Sequence, residues 1–411
     1  MISHNIIRGK DSCRACESLD MFVAYDLGLL PIANELYLAS QTSYEEFPLC
    51  LSICRKCTLG QVQDVVAPER LFEDYRYTSS TSETFLRHAS DFVADVVDQF
   101  NISSEDWVLE IASNDGYLLR NFLPLGIRVL GIEPSINVGK LAADLGINTI
   151  TDFFTSQVAR QILETHGQPK LIIANNVLAH VPDLRDFMHG LSILCGSDTV
   201  ISIENPSLLN ILELNQFDSI YHEHYSYLTA NSVSLLATAF GLKLFNVQEI
   251  PTHGGSNRYW INLNSIPSKS VADLVRKEIE SGITDSNKWA DSYAQVQRTL
   301  ERFTKWLEEK VLNGGRVAGY GAAAKASTLL NLANIGTGTV ALIADKSTEK
   351  QGRYMPSHSI PIVDLGALAS YNPTDIVIFP WNIATEIEST LSISNPEASY
   401  WIAIPEMTRI L

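Results

Sequence analysis

No stretch of the 411 residues stays apolar for the roughly 20 positions that a membrane-spanning helix needs. The opening run MISHNIIRGKDSCRAC lacks the apolar centre and small-residue cleavage site of a secretory leader. The expected compartment is therefore the cytoplasm, where thiols stay reduced. Positive charge is scarce: 30 Lys and Arg stand against 47 Asp and Glu, a formal net charge of -17. Such a surface repels nucleic acid and anionic membrane, so the expected partner is a small molecule and the expected state a monomer or small homo-oligomer. A phosphate on that molecule is not excluded, because a helix N-terminus can hold one. There is no repeat of fixed period and no low-complexity tract.

Cysteine is sparse as well, six in all, yet five lie within the first 57 residues. Cys13 and Cys16 form one CxxC, Cys54 and Cys57 another. Two such knuckles can bring four thiolates to one point, as a closed tetrahedral zinc site requires. A redox dithiol would need only one CxxC, opening a helix. Four protein thiolates leave no open coordination position, so the expected role of the metal is structural. Cys50 and Cys195 read as ordinary buried thiols.

Further on, apolar runs alternate with helical ones. WVLEIA, RVLGIEP, LIIANN and TVISIEN read as strands, then SIPSKSVADLVRKEIE through WLEEKVLNGG as long amphipathic helices. RVAGYGA, VALIADKS, DIVIFPW and SYWIAIPEM form a second strand series. The expected fold is α/β: a small cysteine domain over residues 1–72, then Rossmann-like α/β domains over 73–250 and 251–411, with mainly parallel sheets.

In VLEIASNDGYLL a strand ends near Glu110 and passes into a turn of Ala112, Asn114, Asp115 and Gly116. The next strand ends in Glu133 and Pro134, where a carboxylate can accept both hydroxyls of a ribose. A third ends in Asn175 and Asn176. This is the layout of an S-adenosylmethionine domain. A dinucleotide fits less well, because Ala112 and Asn114 hold the glycine positions of GxGxxG. The plainer alternative is an α/β domain without a ligand.

Residues 221–227 gather Tyr221, His222, Glu223, His224, Tyr225 and Tyr227. Histidine titrates near neutrality and suits removal of a moderately acidic proton, and tyrosine or histidine can donate to a developing oxyanion. The plainer reading is a polar loop covering the cofactor cleft.

RVAGYGAAAKAS fits GxGxxA through Gly319, Gly321 and Ala324, with Asp345 ending the next strand. This supports an alternative function, an NAD(P)-dependent oxidoreductase or epimerase acting on a nucleotide-sugar. A glycine-lined helix N-terminus equally holds the diphosphate of a nucleotide-sugar, with Lys325 and Arg353 to add charge.

In chain order, the CxxC pair, LFEDYRYTSSTSETF, LEIASNDGYLL, GIEPS, NNVLAHVPD, QFDSIYHEHYSYL, HGGSNRYW, GYGAAAKASTLLN, KQGRYMPSHSIPI and PWN span nearly the whole chain. Together they resemble the sugar C-methyltransferases of deoxysugar biosynthesis. The resemblance implies a zinc-binding N-terminal domain, a central class I methyltransferase domain that binds S-adenosylmethionine, and a C-terminal domain that helps hold a nucleotide-sugar. It implies methylation at carbon 3 of a 4-keto-6-deoxy sugar. By matching motifs, His224 looks like the general base, with Tyr221 and Glu223 beside it. His180 and Tyr75 or Tyr77 look like substrate-side groups. Ser79, Tyr320, Lys325, Arg353 and Trp381 are the candidates for further substrate contacts. Asn257 stands where that family is expected to carry an apolar residue.

Overall fold

The computed structural model describes residues 6–7, 11–38, 44–72 and 78–410. Near the N-terminus lies a four-stranded antiparallel sheet of Met21–Pro31, Glu46–Cys54, Gly60–Val62 and, from far along the chain, Ser226–Tyr227. In its second strand Phe47, Leu49, Leu51 and Ile53 are all buried, the period of two that turns one face to a core.

The central sheet has seven strands. In spatial order they are Lys243–Ile250, Ser256–Asn262, Val200–Pro206, Leu171–Asn175, Trp107–Ile111, Arg128–Ile132 and Thr149–Ile150. The last five run parallel and the first two form an antiparallel hairpin. Parallel strands buried on both faces need apolar residues at successive positions. Leu109, Ile172 and Ile201 enter one core, while Val108, Leu171 and Ile173 enter the other. Trp260 of the hairpin packs with Phe92 and Phe100 in that second core. This sheet therefore runs on to Asn262, past residue 250, where the sequence places the end of the domain.

The C-terminal sheet orders Ile362–Val363, Ile343–Ala344, Val317–Tyr320, Asp375–Ile378, Ser399–Ile402 and Thr408–Ile410, parallel except for the last strand. Between the two α/β units stand the helices Lys269–Glu280 and Ser286–Leu312. The second begins where the Asp285 side chain accepts the Asn287 N–H at 2.9 Å. Its buried residues, Trp289, Val296, Leu300, Phe303 and Leu307, recur at helical spacing on one face. That face joins Tyr25 of the N-terminal sheet, Leu208 and Phe217 of the central unit, and Val317 of the C-terminal sheet in one apolar core.

A core shared by all three units predicts unfolding as one cooperative event. Phe303→Ala should cost ~3–5 kcal/mol and lower the melting temperature without splitting the transition. Calorimetry resolving two separate peaks, with only one shifted, would contradict the shared core.

Candidate functional site

The four sulfurs of Cys13, Cys16, Cys54 and Cys57 all lie within 4.8 Å of one another. Cys13 Sγ is 3.3 Å from Cys57 Sγ and Cys16 Sγ is 3.6 Å from Cys54 Sγ. Four thiolates ~2.3 Å from a central zinc stand roughly 3.8 Å apart, so this cluster fits the ion. Each knuckle turns back through a left-handed residue just after its second cysteine, Glu17 at φ 60° and Thr58 at φ 64°. The Cys57 N–H also points at Cys54 Sγ, at 3.5 Å. Away from the cluster, Cys50 is half-buried and Cys195 is buried.

This domain grips the tyrosine- and histidine-rich segment. Ser226 pairs with Gln61 and Tyr227 with Gly60. Arg14 donates to the Tyr225 carbonyl at 2.6 Å and to the Val62 carbonyl. The Tyr225 hydroxyl donates to Val66 O at 2.7 Å, and His222 Nε2 donates to Phe47 O at 3.2 Å. Glu223 Oε1 accepts both the backbone N–H and the side-chain amide of Asn34, each at 3.0 Å. Burial raises the Glu223 carboxyl to about 7.

Tyr221 and His224 face the other way. His224 Nδ1 lies 3.1 Å from the Ser219 carbonyl, which can only accept, so Nδ1 carries the proton. The lone pair is then on Nε2, where it takes the Tyr221 hydroxyl at 2.8 Å. His180 packs against the His224 ring at 4.7 Å, and its Nδ1 donates to the Glu223 carbonyl at 2.7 Å. Glu223 thus supports the pair through its backbone, while Oε1 of its carboxyl serves Asn34 and Oε2 is buried with no partner among the described residues. Burial, then the neighbouring His180, pushes His224 well below the usual histidine range. Burial pushes His180 down to about 4. Both rings are neutral near pH 7. Tyr75 and Tyr77 lie outside the described residues.

At the strand ends of the central sheet, Ala112, Asn114 and Gly116 all take positive φ, 52°, 50° and 77°. A Cβ on Gly116 would stand 2.5 Å from Ile147 Cδ1, so this turn admits only glycine there. Glu133 accepts the N–H of Asn114 at 3.0 Å and that of Ser135, just past Pro134, at 2.9 Å. Ser79 donates its backbone N–H to Asn114 Oδ1 at 2.9 Å. Ser80 does the same to Asp115 Oδ2 at 3.2 Å. Asn176 has φ 56° and donates to the Glu204 carbonyl at 2.6 Å.

Glu110 Oε2, Asp115 Oδ1 and Asn175 Oδ1 are sealed from solvent with no partner among the described residues. Burial, then the charges of Asp115 and Glu133, drives Glu110 well above the carboxylate range. Burial also raises Glu133. Unpaired buried acceptors around three carboxylates call for a ligand that brings donors and positive charge. The sulfonium and amino groups of S-adenosylmethionine bring both.

The C-terminal unit reaches the histidines through Lys325. Its ammonium donates to Ser219 Oγ at 2.6 Å and lies 4.4 Å over the Trp381 ring. Trp381 Nε1 donates to Asp218 Oδ2 at 2.7 Å. Burial lowers Lys325, and the nearby Asp218 carboxylate partly restores it. Tyr320 ends the strand before the glycine turn and is buried. Arg353 is half-exposed, with its Nε on the Glu349 carbonyl. The cation that sits on the turn is Lys350, whose Nζ donates to Ala322 O at 2.9 Å and lies 3.5 Å from Asp345. Asp345 in turn accepts the N–H groups of Ala322 and Ser347. Lys350 is a cation three positions upstream of Arg353. Sequence reading also passed over Asp218 and Glu204, both buried acids in segments it had singled out for other residues.

Three family models match the chain in succession. They describe a zinc binding domain over residues 13–72, a methyltransferase domain over 85–247 and a C-methyltransferase C-terminal domain over 251–405. The C-methyltransferase NovU of Streptomyces niveus is 31% identical over 392 residues, 93% of this chain and 92% of that protein. Solved structures align with less of the chain. A SAM-dependent methyltransferase of Anabaena variabilis covers 42% of it and 84% of its own chain, at 17% identity and TM-score 0.34. A second, from Clostridium acetobutylicum, covers 44% and 92%, at 13% identity and TM-score 0.35. Among the described residues, no helix is long and apolar enough to cross a membrane.

Because the cysteine domain braces the segment that carries the histidines, Cys57→Ser should do more than lose zinc. Metal content measured by emission spectroscopy should fall, the melting temperature should drop, and turnover should fall with it. Full turnover in a zinc-free protein would show that the knuckles do not support the site.

Proposed function

The chain belongs to the family of S-adenosylmethionine-dependent C-methyltransferases, and from that premise we propose that it methylates a nucleotide-linked 4-keto-deoxysugar, at carbon 3, with His224 as the base. Its cofactors are S-adenosylmethionine and zinc. The reaction belongs in the cytoplasm, in the assembly of branched deoxysugars. The observation that carries the reading is the neutral His224 with its lone pair on Nε2, held by a backbone carbonyl behind it.

A carbon acceptor needs such a group. A C–H beside a ketone is acidic because the resulting anion spreads onto oxygen as an enolate. His224 Nε2 takes that proton, the C–H electron pair moves into the new C=C bond, and the carbonyl oxygen gains the charge. The Tyr221 hydroxyl, which holds the lone pair at rest, is freed to donate to that oxygen. The Lys325 ammonium, tied to the same Ser219 that orients His224, adds positive charge on that side. Packing around the rings excludes water, which keeps the base neutral and strengthens these interactions. S-adenosylmethionine, when bound, supplies the electrophilic methyl group that the carbon takes up. Glu110, Asp115, Glu133 and Asn175 are the residues that would hold it.

The nucleotide suits the C-terminal unit. Its glycine turn opens the helix Ala324–Leu332, with Lys350 beside the turn and Lys325 in the helix's first turn. N–H groups and cations there match a diphosphate.

The reading is tested with nucleotide 4-keto-sugars in deuterated buffer lacking S-adenosylmethionine. Native enzyme should exchange the proton at carbon 3, and adding S-adenosylmethionine should raise the sugar mass by one methylene. His224→Ala should lose both reactions while binding the cofactor normally by calorimetry. Near-normal turnover in His224→Ala would remove it as the base.

The pH profile gives a second test. A histidine held below its ordinary value is fully neutral at pH 6.5 and loses base function only as pH falls through its lowered value. Deprotonation rates should therefore stay level from about pH 8 to about pH 6. An acid limb centred near pH 6.5 would mean that the working base is solvated.

A further inference from the structure

The turn at 252–255 joins two strands of the central sheet and has no part in the reaction drawn above. His253 sits in it at φ 55° and ψ 23°. That left-handed region is natural for glycine and tolerable for asparagine, but uncommon for other side chains.

The turn is fastened from several sides. The Thr252 hydroxyl donates to Glu204 Oε1 at 3.2 Å. Glu204 is itself fixed by Arg258 at 3.0 Å and His88 at 2.9 Å. Burial pushes this carboxyl up, but His88 and Arg258 together hold it below its ordinary value. Gln216 Nε2 donates to the Gly254 carbonyl at 2.7 Å. A Cβ on Gly254 would lie 2.2 Å from Trp381 Cη2, and one on Gly255 would lie 1.8 Å from Asn210 Nδ2. Strain of this kind persists only where the surroundings over-determine it, and it gathers at functional sites.

The His253 side chain gives the strain a purpose. Its ring stands 5.2 Å from Phe85, and its Nε2 is shielded from solvent with no hydrogen-bond partner among the described residues. A buried unpaired nitrogen is costly, and here it coincides with a strained backbone. The charge of Lys325 bears on the His253 ring, and that of the ring on His224. Burial, with Lys325 adding to it, pushes His253 down to about 4, so the ring is neutral. Trp381, which covers the turn, also carries the Lys325 ammonium on its ring. The nitrogen stands near the junction of the central and C-terminal units, where a bound molecule can supply its partner. A neutral imidazole nitrogen there meets either a donor or an acceptor, according to tautomer, and a sugar hydroxyl can be both.

We propose that His253 contacts the substrate, its Nε2 pairing with a hydroxyl of the sugar near the acceptor carbon and so helping to select which sugars are methylated. This rests on the keto-sugar reading above, and the experiment separates the two.

His253→Gly removes the ring and relieves the backbone, so a residue kept for function gives an unusual signature. The melting temperature should hold or rise, cofactor affinity by calorimetry should not change, and kcat/KM for the nucleotide-sugar should fall roughly 10- to 100-fold, mostly in KM. His253→Asn, which tolerates the left-handed turn and keeps a polar side chain, should recover part of that loss. Discrimination between sugars with and without the neighbouring hydroxyl should shrink in the glycine variant. A kcat/KM within twofold of native overturns the proposal alone. A lowered melting temperature with lowered cofactor affinity also overturns it, because the ring would then be structural. If native enzyme methylates no nucleotide keto-sugar, the keto-sugar reading fails and this proposal fails with it.

Discussion

Two residue pairs, Ser226 with Gln61 and Tyr227 with Gly60, decide where His224 can stand. They make a short segment of the central unit the edge strand of the cysteine domain's sheet. Around them His222, Glu223 and Tyr225 each spend their side chains on that domain, at Phe47, Asn34 and Val66. Arg14, buried enough to be pulled down to about 10, clamps the Tyr225 carbonyl from between the two cysteines of its knuckle. The segment is thus fixed along one side. The side left over presents Tyr221 and His224, and the carbonyl of Ser219 sets which nitrogen of His224 is bare. The cysteine cluster, more than 160 residues away in sequence, is part of the support of His224.

The two α/β units solve the same problem in the same way. In the first, a strand-end carboxylate, Glu133, accepts an N–H from the turn after the neighbouring strand and another two residues beyond itself. In the second, Asp345 accepts from Ala322 and Ser347 in the same arrangement. They differ in the surrounding charge. Glu133 stands with Glu110 and Asp115, three acids whose crowding helps raise Glu110 and which a cationic ligand would relieve. Asp345 is offset by Lys350, which leaves the glycine turn fit for an anion. One framework thus carries different charge around it in the two units.

Much of this was legible in the sequence because it is local. The cysteine spacing, the small residues at 112–116 and the apolar strand runs each follow from neighbours within a few positions. What depends on distant pairing was not. A two-residue strand such as Ser226–Tyr227 has no periodicity to detect, and its partner lies far upstream. The motif HGGSNRYW reads as the start of the last domain, yet its strand closes the central sheet because Tyr259 and Trp260 bury themselves on that sheet's two sides. Glu223 and His224 are adjacent and equally suggestive, and only the fold turns one to Asn34 and the other to Tyr221. Likewise KQGR offers two cations, and only the fold shows that Lys350 donates to the Ala322 carbonyl and Arg353 to that of Glu349.

The shared apolar core around Phe303 also bears on how such a chain can change over time. Three compact units in a row invite exchange by recombination, each swapped for a counterpart. Here a crossover at either apparent junction would separate surfaces fitted to each other: Leu51 from Phe217, or Leu208 from Val317. Change by substitution within the chain is therefore more accessible than change by trading whole domains. The three parts have to drift together, as one heritable block.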